Sequence, residues 1–351
     1  MSSGPEHVHS GRISYFDGWR GLSILLVLFG HFIWESPLRL STLGVELFFV
    51  LSGRLIADIL FAERYPLPAF FWRRVSRLYP ALAVFVLLTW IATSGSSFGF
   101  KTSAVVAALT FTLNYAIVLN HGVAAIENLW SLCIEEHAYA ILGLVALAAR
   151  RWRFDPLLLI AIAALVSMTD ALVSVLAFHQ VGIHVYWRTD AHVCSILWGA
   201  AAYLLLRRTR VPPLLPVGLF AAVFVVAAAS ATIKLSLAPI LLAPCVSTLG
   251  QAPALVRKVF SWKPLTWMGI WSYSIYLWNQ PFSRLARVGV VPDWAALLLG
   301  VLAGIASFYL VEQPARRFLN AKWNALPRRV PAAASVSGSG LTPEPGGSVS
   351  P

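Results

Sequence analysis

The chain has 351 residues, 58% of them hydrophobic and only 12% charged, and 27 Lys and Arg against 15 Asp and Glu leave a formal net charge of +12. Soluble domains run at about 45–50% apolar and about 25% charged, so this balance excludes an ordinary soluble enzyme and implies several membrane spans. Nucleic acid is excluded as the partner of the positive charge, because the Lys and Arg fall in short clusters between apolar runs, as cytoplasmic loops of membrane proteins do.

Residues 1–12 are polar and read as a cytoplasmic N-terminal segment; no cleavage-site pattern follows the first apolar run. A spanning helix needs about 20 apolar residues. Candidate runs lie near residues 19–36, 43–62, 79–94, 104–120, 132–149, 156–177, 189–206, 213–231, 235–250, 268–286 and 293–312. The basic clusters between them test how many cross. They are Arg12 with Arg20; Arg73, Arg74 and Arg77; Arg150, Arg151 and Arg153; Arg207, Arg208 and Arg210; Arg257, Lys258 and Lys263; and Arg316, Arg317 and Lys322. With a cytoplasmic N-terminus, every cluster falls inside only if the 104–120 run does not cross. That run is also the most polar, with Thr102, Thr110, Thr112, Asn114 and Asn120 in or beside it.

The expected fold is therefore an all-α polytopic membrane protein. It has about ten transmembrane helices, a re-entrant or interfacial segment at 104–120 on the outer side, and both termini in the cytoplasm. Residues 13–320 form the transmembrane domain, and residues 321–351 a cytoplasmic, largely disordered tail whose last 21 residues are rich in Pro, Gly, Ser and Ala. Cys133, Cys194 and Cys245 have neither disulfide nor metal-ligand spacing and are expected in the core, with no metal and no bound cofactor.

An ionisable side chain inside a span costs about 2.5–3.5 kcal/mol on insertion scales and calls for a functional explanation. The chain has Asp17, Arg20, His31, Glu46, Arg54, Asp58, Glu135, Glu136, His137, Asp190 and His192 in such places. Arg20 and His31 are eleven residues apart, about 20° past three full turns, so they share a helix face with a rise of about 16 Å between them. Arg20 then sits near the cytoplasmic surface, with Asp17 in reach of it, and His31 sits slightly outward of the midplane. Glu46, one of Glu135 and Glu136, and Asp190 or His192 are expected to gather around His31 in the outer half. A histidine beside a carboxylate can act as a general base, with the carboxylate setting its tautomer. Proton-coupled transporters cluster such residues too, so a transporter or flippase working without chemistry is the competing reading. Arg73, Arg74 and Arg77 have the forks that suit phosphate, although positive-inside anchoring also accounts for them. Arg54 and Asp58, at i and i+4, read as an internal salt bridge.

Several stretches in order resemble the acyltransferase-3 family of membrane proteins, which O-acylate cell-surface polysaccharides and other acceptors. They are YFDGWRGLSILLVLFGHF, GVELFFVLSGRLI, FWRRVSRLYP, NLWSLCIEEHAY, WSYSIYLWNQP and LVEQPARRF, between residues 13 and 318. The resemblance implies an inner-membrane acyltransferase. Its co-substrate would be an acyl-CoA, acetyl-CoA by default, on the cytoplasmic side, with a carbohydrate or glycosylated acceptor reached from outside and membrane lipid around it. It implies His31 as catalytic residue, either general base or acyl carrier. Arg20 would orient the donor or stabilise developing charge, and Glu136 or Glu135 would orient His31 or the acceptor. Arg73, Arg74 and Arg77 would hold donor phosphates. Asp17, Glu46, Asp190, His192, Tyr276 and Asn279 would support the site, Tyr276 and Asn279 by lining the same cavity. Asn279 stands where many relatives have histidine, and TDAHVCSILWG places His192 and Cys194 where the family has arginine and aspartate.

Overall fold

The computed structural model describes residues 13–33, 39–119, 123–180, 182–227 and 231–325. Among them every regular element is a helix. The long elements of the first half are α1 (Ser14–Phe32), α2 (Leu40–Ala57, continued by a π-turn to Ala62) and α3 (Leu67–Thr93), followed by the short α4 (Thr102–Leu109) and α5 (Leu113–Val118). Then come α6 (Leu129–Trp152), α7 (Pro156–Leu176), α8 (Gly182–Trp187), α9 (Thr189–His192), α10 (Cys194–Leu206), α11 (Leu215–Ala227), α12 (Ala231–Thr248) and α13 (Ala254–Phe260). The chain closes with α14 (Lys263–Arg287), α15 (Asp293–Ser307, continued by a π-turn to Glu312) and α16 (Gln313–Ala325). Local chemistry sets several ends. Before α7 the Asp155 carboxylate accepts the Leu157 N–H at 2.9 Å, and Pro156 fills the first helical position, where a missing N–H costs nothing.

Among the described residues, five helical stretches are long and apolar enough to cross a membrane, namely Leu67–Thr93, Leu129–Trp152, Pro156–Leu176, Thr189–Leu206 and Asp293–Ala325. A sixth arises if Leu237–Gln251 and Ala254–Phe260, bent by 106°, count as one span. This is fewer than the ten expected. In α1 and α14 the apolar character is diluted by Asp17, Arg20 and His31 and by Lys263, Asn279, Gln280, Arg284 and Arg287. The run at 104–120 forms α4 and α5, of 8 and 6 residues, each far short of spanning length. They part at Phe111, whose φ is 57°, where the Thr110 hydroxyl turns back onto the Val106 carbonyl at 2.8 Å.

The structure describes only the first five residues of the expected tail. Residues 321–325 continue α16, because tertiary contacts hold it: Trp323 stacks on Trp72 with ring centroids 4.9 Å apart, and Ser76 Oγ donates to Asn320 Oδ1 at 3.1 Å. The expectations for residues 1–12 and 326–351 lie outside the described residues. All three cysteines are free and buried.

The core is organised around α1, which packs against α14 and α2. Glycines let α1 touch the backbones of α13 and α14. A Cβ added at Gly18 would lie 1.6 Å from the Phe260 carbonyl oxygen, at Gly21 2.0 Å from that of Leu265, and at Gly269 1.8 Å from that of Asp17. On the α2 side Trp19 is wholly buried and its Nε1 donates to the Leu47 carbonyl at 2.9 Å. The contact with α14 decides what His31 meets.

Candidate functional site

A cavity of about 610 Å³ lies where α1 begins, α2 ends, α3 begins and α15 gives way to α16. Six arginines line it: Arg20, Arg54, Arg73, Arg74, Arg77 and Arg316. Its wall follows α2 from Asp58 up to Val45, about 20 Å at 1.5 Å per residue. At the upper end it reaches Phe48, Ser131 and Tyr276.

Most of these charges are already paired. Arg20 meets Asp17 at 3.3 Å and Arg54 meets Asp58 at 3.2 Å, the two local pairs expected from spacing. Arg54 is also held between the rings of Phe16 and Tyr203, 4.3 and 4.8 Å from their centroids. Arg74 is paired twice: Nη2 lies 2.9 Å from Glu135 and Nε 2.7 Å from Glu136, with the guanidinium 4.0 Å above the Tyr139 ring. Ser52, at 2.7 Å, and the Tyr139 hydroxyl both donate to the same Glu135 oxygen. Arg77 is looser. Its Nε lies 4.0 Å from Glu312 and is buried with no hydrogen-bond partner, whereas Glu312 accepts the Ser274 hydroxyl at 2.7 Å. Arg73 is exposed and lies 5.0 Å over the Tyr65 ring.

His31 lies outside this wall, beyond its Tyr276 end. Its Nδ1 is 2.7 Å from Asn279 Oδ1. Asn279 is fully buried and its Nδ2 donates to the Tyr276 carbonyl at 2.6 Å. Asn128 Nδ2 donates to the same carbonyl at 2.5 Å. The Tyr276 hydroxyl, which lines the cavity, donates to the Asn128 carbonyl at 3.0 Å and bonds the Ser131 hydroxyl at 2.6 Å. The cavity and His31 are thus joined through one turn of α14, from Tyr276 to Asn279.

The grouping expected around His31 is not the one found. Glu135 and Glu136 face Arg74 on α3, so neither orients His31; Asn279 takes that place and does not line the cavity. Arg74, expected with Arg73 and Arg77 to hold phosphates, already binds two carboxylates. Glu46 pairs instead with His192, Oε1 to Nε2 at 2.6 Å, and His192 Nδ1 is 2.7 Å from the Tyr186 carbonyl. A carbonyl only accepts, so Nδ1 carries a proton there, and one further proton lies between Nε2 and Glu46. This buried pair, with Trp130 stacked 5.7 Å from the His192 ring, is a tie between α2 and α9. Asp190 belongs to a third group: it is bound by Arg188 and, at 3.2 Å, by the Tyr115 hydroxyl. That contact and a second ion pair to Asp170 at 2.9 Å keep the Arg188 guanidinium even more firmly protonated than usual.

Among the residues of the cavity and of the His31 network that sequence reasoning did not assign to the site are Arg54, Arg316, Glu312 and Asn128. Arg54 carried a signal, a charge inside an apolar run, that a local salt bridge accounted for. Asn128 carried none that spacing could use, because its partners are main-chain atoms about 150 residues away. Among the described residues no group of three or more His, Cys, Asp or Glu is arranged to hold a metal ion.

A family model described as an acyltransferase domain matches residues 13–312. The peptidoglycan O-acetyltransferase OatA of Listeria monocytogenes is 28% identical over 87% of this chain and 56% of its own length. The O-acetyltransferase OatA of Staphylococcus aureus is 26% identical over 89% of this chain and 58% of its own. The chain therefore spans little more than half the length of the curated relatives it matches. No solved structure gives a significant match.

Proposed function

We propose, from the premise that the chain belongs to the acyltransferase-3 family, that it is a membrane O-acetyltransferase acting on a hydroxyl of a cell-envelope carbohydrate. Relatives named as O-acetyltransferases, one of them of peptidoglycan, support the reaction and the acceptor class. One observation carries the rest: an arginine-lined cavity ends at Tyr276, and one helical turn further Asn279 holds His31.

The arginine-rich end faces the cytoplasm in a ten-span, inner-membrane arrangement with both termini in the cytoplasm, and an acyl-CoA, acetyl-CoA by default, enters there. Arg73 and Arg77, joined by Arg316, take the donor phosphates; guanidinium forks suit them. Arg74 serves as a strut between α3 and α6. Arg20, tied to Asp17, orients the donor. The acyl arm runs along Val45, Phe48 and Phe49 toward Tyr276. His31 takes the proton of the acceptor hydroxyl as its oxygen attacks the thioester carbonyl. The new C–O bond forms, the C–S bond breaks, and the proton passes to the departing thiolate. Alternatively His31 carries the acetyl group between two such steps. A positioned base contributes about 10²–10⁴-fold to such a transfer.

The test uses the full chain in proteoliposomes, with acetyl-CoA as donor and peptidoglycan fragments as acceptor. Thiol release and acetyl ester are measured together. His31→Ala and Arg20→Ala should each lose both signals at normal protein yield. Unchanged ester formation in both variants would sink the proposal.

A further inference from the structure

We infer that Asn279 is a positioning residue that locks His31 as the Nδ1–H tautomer, leaving Nε2 as the one nitrogen able to take a proton or an acyl group. The inference rests on His31 being the reacting residue, as proposed above.

The argument starts from Pro281. It lies inside α14 and has no N–H, so the Leu277 carbonyl four residues earlier loses its helical partner. Asn128 Nδ2 approaches that carbonyl at 3.4 Å and the Tyr276 carbonyl at 2.5 Å. Asn279 Nδ2 donates to the same Tyr276 carbonyl at 2.6 Å, with Ile275 O at 3.4 Å. Two side-chain amides therefore converge on one opened turn, and the turn dictates which way the Asn279 amide points. Reversed, its oxygen would face the Tyr276 carbonyl oxygen, acceptor against acceptor. The orientation found gives both Asn279 amide atoms a partner of the right polarity.

With the amide direction set, its Oδ1 faces His31 Nδ1 at 2.7 Å. An amide oxygen only accepts, so Nδ1 must donate, and a neutral imidazole has one N–H. Nε2 is therefore the lone-pair nitrogen. The amide neither gains nor loses a proton near neutral pH, so no second titrating group relays charge to the ring. The charged groups acting on His31 are Arg284 and Arg287, both on α14, and Arg284 is itself paired with Glu127.

The test combines kinetics with spectroscopy on the full chain in proteoliposomes, with acetyl-CoA and peptidoglycan fragments as probes. Asn279→Leu should lower kcat about 10–100-fold, as loss of an orienting partner does, while KM for both substrates stays within about twofold. Asn279→Asp places a carboxylate against Nδ1 and favours the imidazolium, so the acidic limb of the kcat/KM profile should move to higher pH. Asn279→His should retain transfer and add a second ionisation to that limb. Nitrogen-15 solid-state NMR of histidine-labelled protein, assigned by difference from His31→Gln, should show His31 protonated at Nδ1. That spectrum needs no Asn279 variant, so it decides the matter even if Asn279→Leu does not fold. An Nε2–H signal overturns the inference, as does wild-type kcat in Asn279→Leu together with an unshifted Asn279→Asp profile. If His31→Ala still transfers acetyl, the underlying reading of His31 fails, which separates the two failures.

Discussion

Replacing Gly21 with Ala tests whether the backbone contact between α1 and α14 sets the position of His31. The added Cβ would sit 2.0 Å from the Leu265 carbonyl oxygen, where real Cβ contacts do not fall below 3.0 Å. The helices must then part by the difference, 3.0 − 2.0, or about 1 Å. Carried rigidly along α1, that shift lengthens the 2.7 Å His31–Asn279 bond to about 3.7 Å, outside hydrogen-bonding range. Overpacking costs about 1–3 kcal/mol, against which Ala contributes about 1 kcal/mol of helix propensity over Gly. The net stability loss is therefore up to about 2 kcal/mol, whereas a misplacement of about 1 Å in a reacting group lowers a rate by about 10²-fold. Gly218→Ala on α11 is the control: nothing lies within 4 Å of its Cβ, so rate should hold and stability rise by up to about 1 kcal/mol. Thermal unfolding in detergent and acetyl transfer from acetyl-CoA give the two readings. A Gly21→Ala protein made at normal yield with the wild-type rate would refute the reasoning.

Removing both carboxylates from Arg74, by Glu135→Gln with Glu136→Gln, leaves a buried guanidinium unpaired and should cost about 3–5 kcal/mol, read as a lowered unfolding temperature; an unchanged melt would deny the strut. His192→Ala strands the Glu46 carboxylate and should destabilise by about 3 kcal/mol with kcat nearly unchanged, and adding Glu46→Gln should recover part of the loss; additive effects would show that the two do not interact. One Ala inserted between Leu26 and Val27 turns His31 about 100° around α1 and should abolish surface O-acetylation, measured as alkali-released acetate. Retained acetylation would show that the spacing from Arg20 to His31 is immaterial.

Much of the molecule was legible in local pattern. Within the described residues each of the eleven apolar runs is largely helical, and the polar 104–120 run breaks at Phe111 into pieces too short to cross. The pairs Asp17–Arg20 and Arg54–Asp58 follow from i+3 and i+4 spacing, and one helix suffices to put Arg20 and His31 on one face. Pairings between helices were not legible. Glu46, one of Glu135 and Glu136, and Asp190 or His192 are expected near His31 from sequence, yet Arg74 takes both α6 glutamates, and Glu46 and His192 take each other.

Sequence by itself determined what is helical, what is apolar and which charges are neighbours along one helix, because those depend only on the periodicity of a single segment. Which side chain meets which across the bundle was decided by tertiary structure. It depends on the depth and rotation of each helix, and these are set by contacts such as Gly21 against Leu265 and Gly269 against Asp17, more than 240 residues apart in the chain. His31 meets Asn279 rather than a carboxylate because that glycine contact brings α14, and the turn opened by Pro281, against α1.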